Sequence, residues 1–414
     1  MTLTRKLLIA GVLLSAFVAA CGGEATPIRP IPFPTTIPAE RQLHAFDTFW
    51  EGIQDRYLYL ELNDINLATL GGTSRRRIEG GLTDEEFEAL MEEVTASFPA
   101  SSMTYRTRAE RIENDLANTV TYEGIGAFVS YFEEPDPHVV LLAVMADSPA
   151  ERAGLAAHES ITGVDGIAIS PEEGADVVQR VRGPSGTSVR LNVRAPDGAV
   201  REVEVVRGRL TANDQLSLRY FPATGTGYFL LPVAAGEELS DLLSRGFERL
   251  GEETLNSLIL DLRVAHSSAS WPLGAMLSLF GDGPMGAIYS RTEESPLIVE
   301  GRDTLNSQAI PLVILVGPDT QGASEIFAAA MQSNGRAVVV GQNSPGSVVN
   351  FDQITLPDGS QVFYAVSSYQ TPDGRDLSLS GVVPDVIVAA GWDEVSLEND
   401  PVLERALELL AGFG

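Results

Sequence analysis

Ser324 lies in the stretch TQGASEIFAAA, residues 320–330, which follows an apolar run and opens into a helix-like segment. A serine hydroxyl becomes a nucleophile when a base lies within hydrogen-bonding distance, and histidine is the usual base. Of the four histidines in the sequence, only His266 is a candidate, because the others fall in a helical N-terminal region and a β-rich middle region. The residues therefore predict either a hydrolase site built from Ser324 and His266, with Ser267 and Ser268 beside it, or a serine that caps a helix. Adjacency in sequence does not create triad geometry, so we favour a role for Ser324 in capping or packing.

The sequence predicts no metal site and no cofactor. No pair of histidine or cysteine residues has the spacing of metal ligands, and the acidic residues are dispersed. The acidic segment TDEEFEALMEE lacks the alternating ligands and central glycine of a calcium loop, and we interpret it as a solvated helix face. The formal net charge is −29, which repels nucleic acid, so no nucleic-acid partner is predicted.

The N-terminus has the pattern of an export signal. A short basic region at Arg5 and Lys6 precedes an apolar stretch of signal-peptide length. The Val-Ala-Ala triplet before Cys21 resembles the lipobox of bacterial lipoproteins, in which the cysteine is lipidated and becomes the mature N-terminus. Residues 1–20 are therefore predicted to be a lipoprotein signal peptide, and the chain is expected at the bacterial cell envelope, extracytoplasmic and lipid-anchored to the membrane. The alternative is an ordinary secretory signal in which Cys21 is incidental.

Composition and hydrophobic periodicity divide the rest of the chain into segments. Proline-rich sequence predicts an extended tether, and helical periodicity follows it, with Thr83 and Glu86 spaced as a capping box. Short β-rich runs come next, and then near-continuous apolar runs that indicate a mostly parallel sheet buried on both faces. The predicted segments are a tether (21–38), a helical N-terminal domain (39–118), a β-rich module (119–210), an α/β core (211–391) and a C-terminal helix (392–414). The fold class predicted from them is α+β and multidomain.

The β-rich module resembles a PDZ domain of the kind inserted in bacterial C-terminal-processing peptidases. The resemblance depends on YEGIGAFV, ADSPAERAGLAAHESITGVDGIAI and VVQRVRGPSGTSVRLNVRAPDG, in that order. Gly124 and Gly126 allow a tight turn, and a neighbouring sheet edge can accept an extended peptide as an added strand. The resemblance implies a β-barrel-like module that captures a polypeptide C-terminus through the backbone amides of about Ile125, Gly126 and Ala127. The alternative is that these glycines serve only a hairpin bend.

The α/β core is similar to the catalytic domain of the same tail-specific serine peptidases. The matching pieces are LILDLR, PLVILV, ASEIFAAAMQSNGRAVVVGQ, LPDGS, YQTPDGR and GVVPDV. The resemblance implies a ClpP/crotonase-like core that cleaves peptide bonds with a Ser–Lys dyad. In the family pattern the serine stands three residues before the glutamate of the helix entry, and the lysine follows twenty-five residues later. These positions are Gly322 and Ser347 here.

The composition supports the absence of the dyad. Lys6 is the only lysine, so a chain cleaved before Cys21 has none. Arginine cannot replace it, because a guanidinium with a pKa above about 12 accepts no proton near neutral pH. The glycine-rich oxyanion loop implied by the resemblance is also changed, since the sequence reads DLRVAHSSAS from residue 261.

These observations predict a pseudo-peptidase of the cell envelope that binds unfolded or extended polypeptide C-termini through its PDZ module without cleaving them. An active serine endopeptidase with rewired residues around Ser324 and His266 is the alternative from the enzyme class. A third possibility is a structural assembly protein whose peptide groove is filled by its own chain.

Overall fold

The structure, a computed structural model, describes residues 39–59, 66–99, 102–112, 123–210, 216–251, 255–267, 271–396 and 398–412. The predicted signal peptide, Cys21, the tether and Ser268 lie outside these ranges. Within them, no helix is both long and apolar enough to cross a membrane.

The N-terminal region is helical, as its periodicity predicts. Its elements are helices α1 (Ala39–Arg56), α2 (Leu67–Glu79) and α3 (Asp84–Ala96), followed by strand β1 (Met103–Arg106). The predicted capping box is present at α3, where the Thr83 hydroxyl accepts the Glu86 N–H at 3.2 Å and the Glu86 carboxylate accepts the Thr83 N–H at 2.8 Å. This pairing satisfies two donors that a helix start otherwise leaves without partners.

The middle module, residues 123–210, is built around one antiparallel sheet. Its elements are β2 (Glu123–Gly124), β3 (Ala127–Phe132), β4 (His138–Val144), α4 (Pro149–Arg152), β5 (Ser160–Val164), β6 (Ile167–Ala168), α5 (Val177–Val181), β7 (Ser188–Arg194), β8 (Val200–Val206) and β9 (Gly208–Arg209). The strand order is β3-β4-β5-β7-β8, with β6 on β5, and β2 pairs with β9 separately. Strand β3 is therefore an outer strand of the sheet, and the short helix α5 closes one face of the core.

The core domain follows. Its elements are β10 (Ser217–Phe221), β11 (Thr226–Leu230), β12 (Ala234–Ala235), α6 (Leu239–Leu250), β13 (Ser257–Asp261), β14 (His266–Ser267), α7 (Leu273–Phe280), β15 (Gly283–Ser290), β16 (Glu294–Val299), β17 (Leu312–Val316), α8 (Ala323–Ser333), β18 (Val338–Gly341), β19 (Asn350–Thr355), β20 (Gln361–Gln370), β21 (Val386–Ile387) and α9 (Pro401–Ala411). The main sheet has the order β10-β11-β13-β17-β18-β21. All neighbours are parallel except β10 and β11.

Burial explains the continuous apolar runs in this domain. Every residue of β13 and β17 is buried, because α6, α7 and α8 cover one face of the sheet and α9 covers the other. Parallel strands place their carboxyl ends at one edge, which is where sites form in such sheets. The loops after β13, β17 and β18 all leave the sheet at that edge.

The N-terminal helices do not have a core of their own. The second sheet has the order β1-β20-β15-β16, with β19 also on β20, and α1 and α3 pack against it. Phe46 and Phe87 lie in one apolar cluster with Val362 and Tyr364 of β20. The helical region that the sequence places in a separate domain is thus joined to the C-terminal half of the chain.

Helix α9 begins at Pro401, nine residues after the start of the predicted C-terminal helix at 392. The Asp400 carboxylate accepts the N–H groups of Val402 and Leu403, both at 3.1 Å, and this cap fixes where the helix begins. The residues before it form a loop in which Trp392 and Asp393 contact the middle module.

Candidate functional site

The turn between β17 and α8 has an unusual backbone at Gly322. This residue is the N-cap of α8, with φ 73° and ψ −127°. For a residue other than glycine, this backbone conformation is strained and costs on the order of 1–3 kcal/mol. In some serine hydrolases a strained turn between a strand and a helix presents the nucleophilic serine. The turn here also joins a strand to a helix, and Gly322 occupies the predicted nucleophile position.

One buried carboxylate joins this turn to the loop after β18. Glu325 has no exposed surface. One of its oxygens accepts the Gly322 N–H at 3.0 Å, and the other accepts the Ser344 hydroxyl and the Gly346 N–H, both at 2.6 Å. Burial raises the pKa of the Glu325 carboxyl, and its hydrogen bonds oppose that rise.

The Glu325 contacts bring the two predicted dyad positions to one place. Gly322 itself donates to the carboxylate, and Ser347 directly follows Gly346, which also donates to it. Ser347 is exposed. Positions 322 and 347 therefore lie close to one carboxylate, but the residues present supply neither a hydroxyl at 322 nor an amine at 347.

Ser324 and His266 do not form a catalytic pair. The Ser324 hydroxyl is fully buried and lies 2.7 Å from the Ala265 carbonyl oxygen and 2.9 Å from that of Gln321, so its proton is shared with backbone acceptors. His266 instead places Nε2 3.4 Å from an Asp319 oxygen. Across the described residues, no hydrogen bond joins Ser324 to His266. The predicted helix cap at Ser324 is also wrong, because Gly322 is the N-cap of α8 and the Ser324 hydroxyl donates to carbonyls and caps no helix N–H. Ser324 is instead a buried side chain that ties the start of α8 to the loop after β13.

The resemblance predicts an oxyanion loop directly after β13, and two backbone N–H groups of that loop already have hydrogen-bond partners. The Ala265 N–H donates to the Leu262 carbonyl at 3.0 Å, and the His266 N–H donates to the Val233 carbonyl at 2.9 Å. An oxyanion site needs N–H groups aimed at the reacting oxygen, and these two are aimed at carbonyls. Val264, in the same loop, is buried against Leu142 of β4.

The four predicted peptide-contact residues line one groove in the middle module. A cavity of about 190 Å³ lies between β3 and α5, and its wall includes Gly124, Ile125, Gly126 and Ala127. The rest of its wall is mainly apolar, with Val129, Val139, Ile161, Val178, Val181 and Arg182.

The turn at the head of this groove requires glycine. Gly126 has φ 84°, and a Cβ there would overlap Cβ of Ser148. The carbonyl of Gly126 accepts the Met145 N–H at 3.0 Å, and the carbonyl of Ile125 accepts the Ala150 N–H at 2.7 Å. These bonds hold the turn against the loop before α4.

The contact between the middle module and the loop before α9 has no signature in the sequence. His138 of β4 lies with Nδ1 2.6 Å from the Asp136 carbonyl oxygen and Nε2 3.2 Å from the Asp393 carboxylate. Because both partners are acceptors, both contacts are hydrogen bonds only when the ring is protonated. The Asp393 hydrogen bond raises the pKa of His138.

A second histidine reinforces the same contact. His158 donates from Nδ1 to the Trp392 carbonyl at 2.8 Å and lies against the Trp392 ring, with centroids 4.1 Å apart. Burial lowers the pKa of His158, so this ring is neutral in the contact. We call the loop Gly391–Glu394 the docking loop.

Groups of three or more His, Cys, Asp or Glu side chains that could hold a metal ion do not occur in the described part of the chain.

Comparisons with known proteins agree with the sequence motifs. Residues 225–388 match the family described as Peptidase family S41, and residues 140–195 match the PDZ domain. A carboxyl-terminal-processing protease of Picosynechococcus sp. is 29% identical over 311 residues, covering 69% of this chain and 70% of that protein. The carboxy-terminal processing protease CtpA of Bacillus subtilis is 26% identical over 294 residues, covering 68% and 59%.

Solved structures give the same fold. The photosystem II D1 C-terminal processing protease has a TM-score of 0.62 at 22% identity, covering 90% of this chain and 97% of that chain. A putative S41 protease from Bacteroides fragilis has a TM-score of 0.57 at 14% identity, covering 88% and 97%. The family predicted from the motifs is confirmed: this chain is a homologue of the carboxyl-terminal-processing proteases, with a peptidase family S41 domain and a PDZ domain.

Proposed function

We propose that this protein is a catalytically inactive relative of the C-terminal-processing proteases that binds polypeptide C-termini through its PDZ domain. The observation that carries the proposal is the pair Gly322 and Ser347, held beside one another by the Glu325 carboxylate. The scaffold that positions a dyad is kept, while the hydroxyl and the amine are both missing. The core would then be a ClpP/crotonase-like fold used as a rigid support.

The chemistry available at this site supports inactivity. A serine protease needs a nucleophile, a base that can accept its proton and donors for the oxyanion. Ser324 donates to backbone carbonyls, His266 faces Asp319, and the N–H groups of Ala265 and His266 are engaged. No lysine follows Lys6 in the sequence, so no neutral amine near the site can act as the base.

The groove between β3 and α5 supports binding of a chain end. A polypeptide laid along β3 would complete the backbone hydrogen bonds of an outer strand, and the turn at Gly126 would receive its carboxylate. The apolar wall fits an apolar last side chain, because a cavity of about 190 Å³ lined by Val139, Ile161 and Val178 favours such a group. The groove is open among the described residues, which favours binding over a purely structural role.

We also propose that the protein is anchored to a membrane of the bacterial cell envelope. The basic and apolar pattern before Cys21 supports a lipid-anchored protein on the outer side of a bacterial membrane, and the proline-rich tether would hold the PDZ groove away from that surface. Labelling of cells with an alkyne fatty acid tests this. We expect label on the wild-type chain and none on Cys21→Ser, and equal labelling of both would refute the anchor.

The experiment that tests the main proposal restores the missing dyad. Gly322→Ser with Ser347→Lys is compared with the wild type on an unstructured polypeptide that ends in an apolar residue. We expect no cleavage by the wild type, and binding of the free carboxylate form but not of the amidated form. Cleavage by the wild type that is lost in Ser324→Ala would refute inactivity, and equal binding of both forms would refute recognition of the terminus.

The outcome for the double variant then locates any further defect. If it gains proteolysis, the dyad alone was missing. If it stays inactive while it still binds peptide, the closed loop around Val264 is the remaining obstacle, since Ala265 and His266 keep their N–H groups on carbonyls. Adding glycines at 264 and 265 to the double variant tests that explanation.

A further inference from the structure

The peptide groove has a defined direction. The Ser185 N–H, just after α5, donates to the Glu123 carboxylate at 2.9 Å, so the end of α5 lies beside the start of β3. The 3₁₀ turn before α5, Gly174–Asp176, packs against β3. If the carboxylate of a peptide sits at the Gly126 turn, the residues upstream of it lie along β3 toward Phe132. The peptide is then antiparallel to β3.

The two ends of this groove differ in charge. Arg182 and Gly126 both line the cavity that would receive a terminal carboxylate, and the Glu123 carboxylate at this end is paired with Arg209. At the other end, Glu133 directly follows β3, and Glu172 and Glu173 directly precede the 3₁₀ turn that packs against β3. The polarity matches a ligand that is negative at its terminus and positive upstream.

The acidic end of the groove contains ionised glutamates and the hydroxyl group of Tyr131. Hydrogen bonds from its own N–H and from Ser170 lower the pKa of Glu172, which therefore stays ionised at neutral pH. Glu173 is paired with Arg180 at 2.7 Å. The Tyr131 hydroxyl oxygen is buried and has no hydrogen-bond partner in the part of the chain that the structure describes.

Strand geometry gives the register. If the last peptide residue lies opposite Ala127, the residue four positions earlier lies opposite Tyr131, and the one six earlier lies beside Glu133, about 20 Å away at about 3.3 Å per residue. Ala127, Val129 and Tyr131 all face the module core, and side chains at even positions of an antiparallel peptide would lie on that same face.

We propose that the PDZ groove selects polypeptide C-termini that carry lysine or arginine four to six residues before an apolar last residue. This proposal rests on the proposed recognition of C-termini and adds the upstream charge. The net charge of the chain favours any cation, but the groove adds a specific position for it.

The test measures fluorescence anisotropy with the full-length chain in detergent micelles. Four ten-residue peptides share an apolar last residue and an N-terminal dye. They carry lysines four and six residues before the end, lysines one and three before the end, glutamates at the former positions, or serines there. We expect the first peptide to bind about fivefold tighter than the serine peptide, as for two exposed ion pairs, with the difference shrinking from 50 to about 300 mM salt.

Matched variants separate a local effect from overall charge. Glu133→Gln with Glu172→Gln should remove most of the lysine preference, while Glu202→Gln on β8, at the opposite edge of the sheet, should keep it. Equal affinity of the two lysine peptides, or an equal loss in Glu202→Gln, would overturn the proposal. If amidated peptides bind as well as free ones, the proposed function itself fails, whatever the upstream residues do.

Discussion

Replacing Glu325 with glutamine keeps the size of the side chain and removes its charge. The wild-type carboxylate accepts one hydrogen bond on one oxygen and two on the other, from Gly322, Ser344 and Gly346. A glutamine has one oxygen, so its amide nitrogen must face at least one of these donors. A buried donor without an acceptor costs about 1–3 kcal/mol, and the remaining bonds lose charge assistance. We therefore predict a local destabilisation of about 2–4 kcal/mol.

Hydrogen exchange measured by mass spectrometry tests this prediction locally. A loss of about 2–4 kcal/mol corresponds to exchange roughly 30-fold to several hundred-fold faster, and we expect it in peptides covering residues 318–326 and 342–350. Glu404→Gln is the matched control, because Glu404 is an exposed glutamate in the first turn of α9. Exchange in the two peptides that changes by less than about threefold in Glu325→Gln would refute the view that one carboxylate holds the two dyad positions together.

Three further predictions follow from particular residues. Gly322→Ala should lower the free energy of unfolding by about 1–3 kcal/mol in denaturant titrations, because φ is 73°, and unchanged stability would contradict this turn geometry. Gly126→Ala should abolish peptide binding in the anisotropy assay, because its Cβ would overlap Ser148, and wild-type affinity would contradict it. Contact between the docking loop and β4 should weaken as pH rises. Asp393 raises the pKa of His138 above its usual value of about 6.5, so the stabilisation is complete below about pH 6.5 and is lost as pH rises through the raised pKa. Hydrogen exchange of residues 389–396 should therefore accelerate beyond its intrinsic pH dependence, and His138→Gln should remove that excess. An excess that persists in His138→Gln would contradict it.

The PDZ domain and the peptidase family S41 domain could be predicted because their motifs are local. Turn glycines and buried strands each have a signature within a few residues, and the capping box at Thr83 depends on two side chains three residues apart. The prediction that the dyad is missing depends on a different kind of signal. The absence of lysine after Lys6 is a property of composition and needs no alignment.

Long-range contacts could not be predicted in this way. The hydrogen bond between His158 and Trp392 joins residues 234 positions apart. No local sequence motif around either residue predicts that they are in contact. The same holds for the packing of α1 and α3 on β20, where apolar faces are visible in the sequence but their partner is not.

Ser324 illustrates a third limit. A helix cap and a nucleophile have the same residue type at the same kind of turn, so the sequence leaves both interpretations open. The structure supports neither interpretation, because Gly322 is the N-cap and the buried Ser324 hydroxyl donates to two carbonyl oxygens at 2.7 and 2.9 Å. Glu325 was visible only as a landmark of the family pattern, and its role became apparent once its contacts with Ser344 and Gly346 were known.

The central claim is that this chain binds polypeptide C-termini without cleaving them. The most direct measurement incubates the full-length chain in detergent micelles with an unstructured polypeptide that ends in an apolar residue, and follows complex formation and product masses in the same sample. We predict a complex that requires the free terminal carboxylate, and a polypeptide that keeps its full mass. Cleavage products that disappear in Ser324→Ala or Gly322→Ala would contradict the claim.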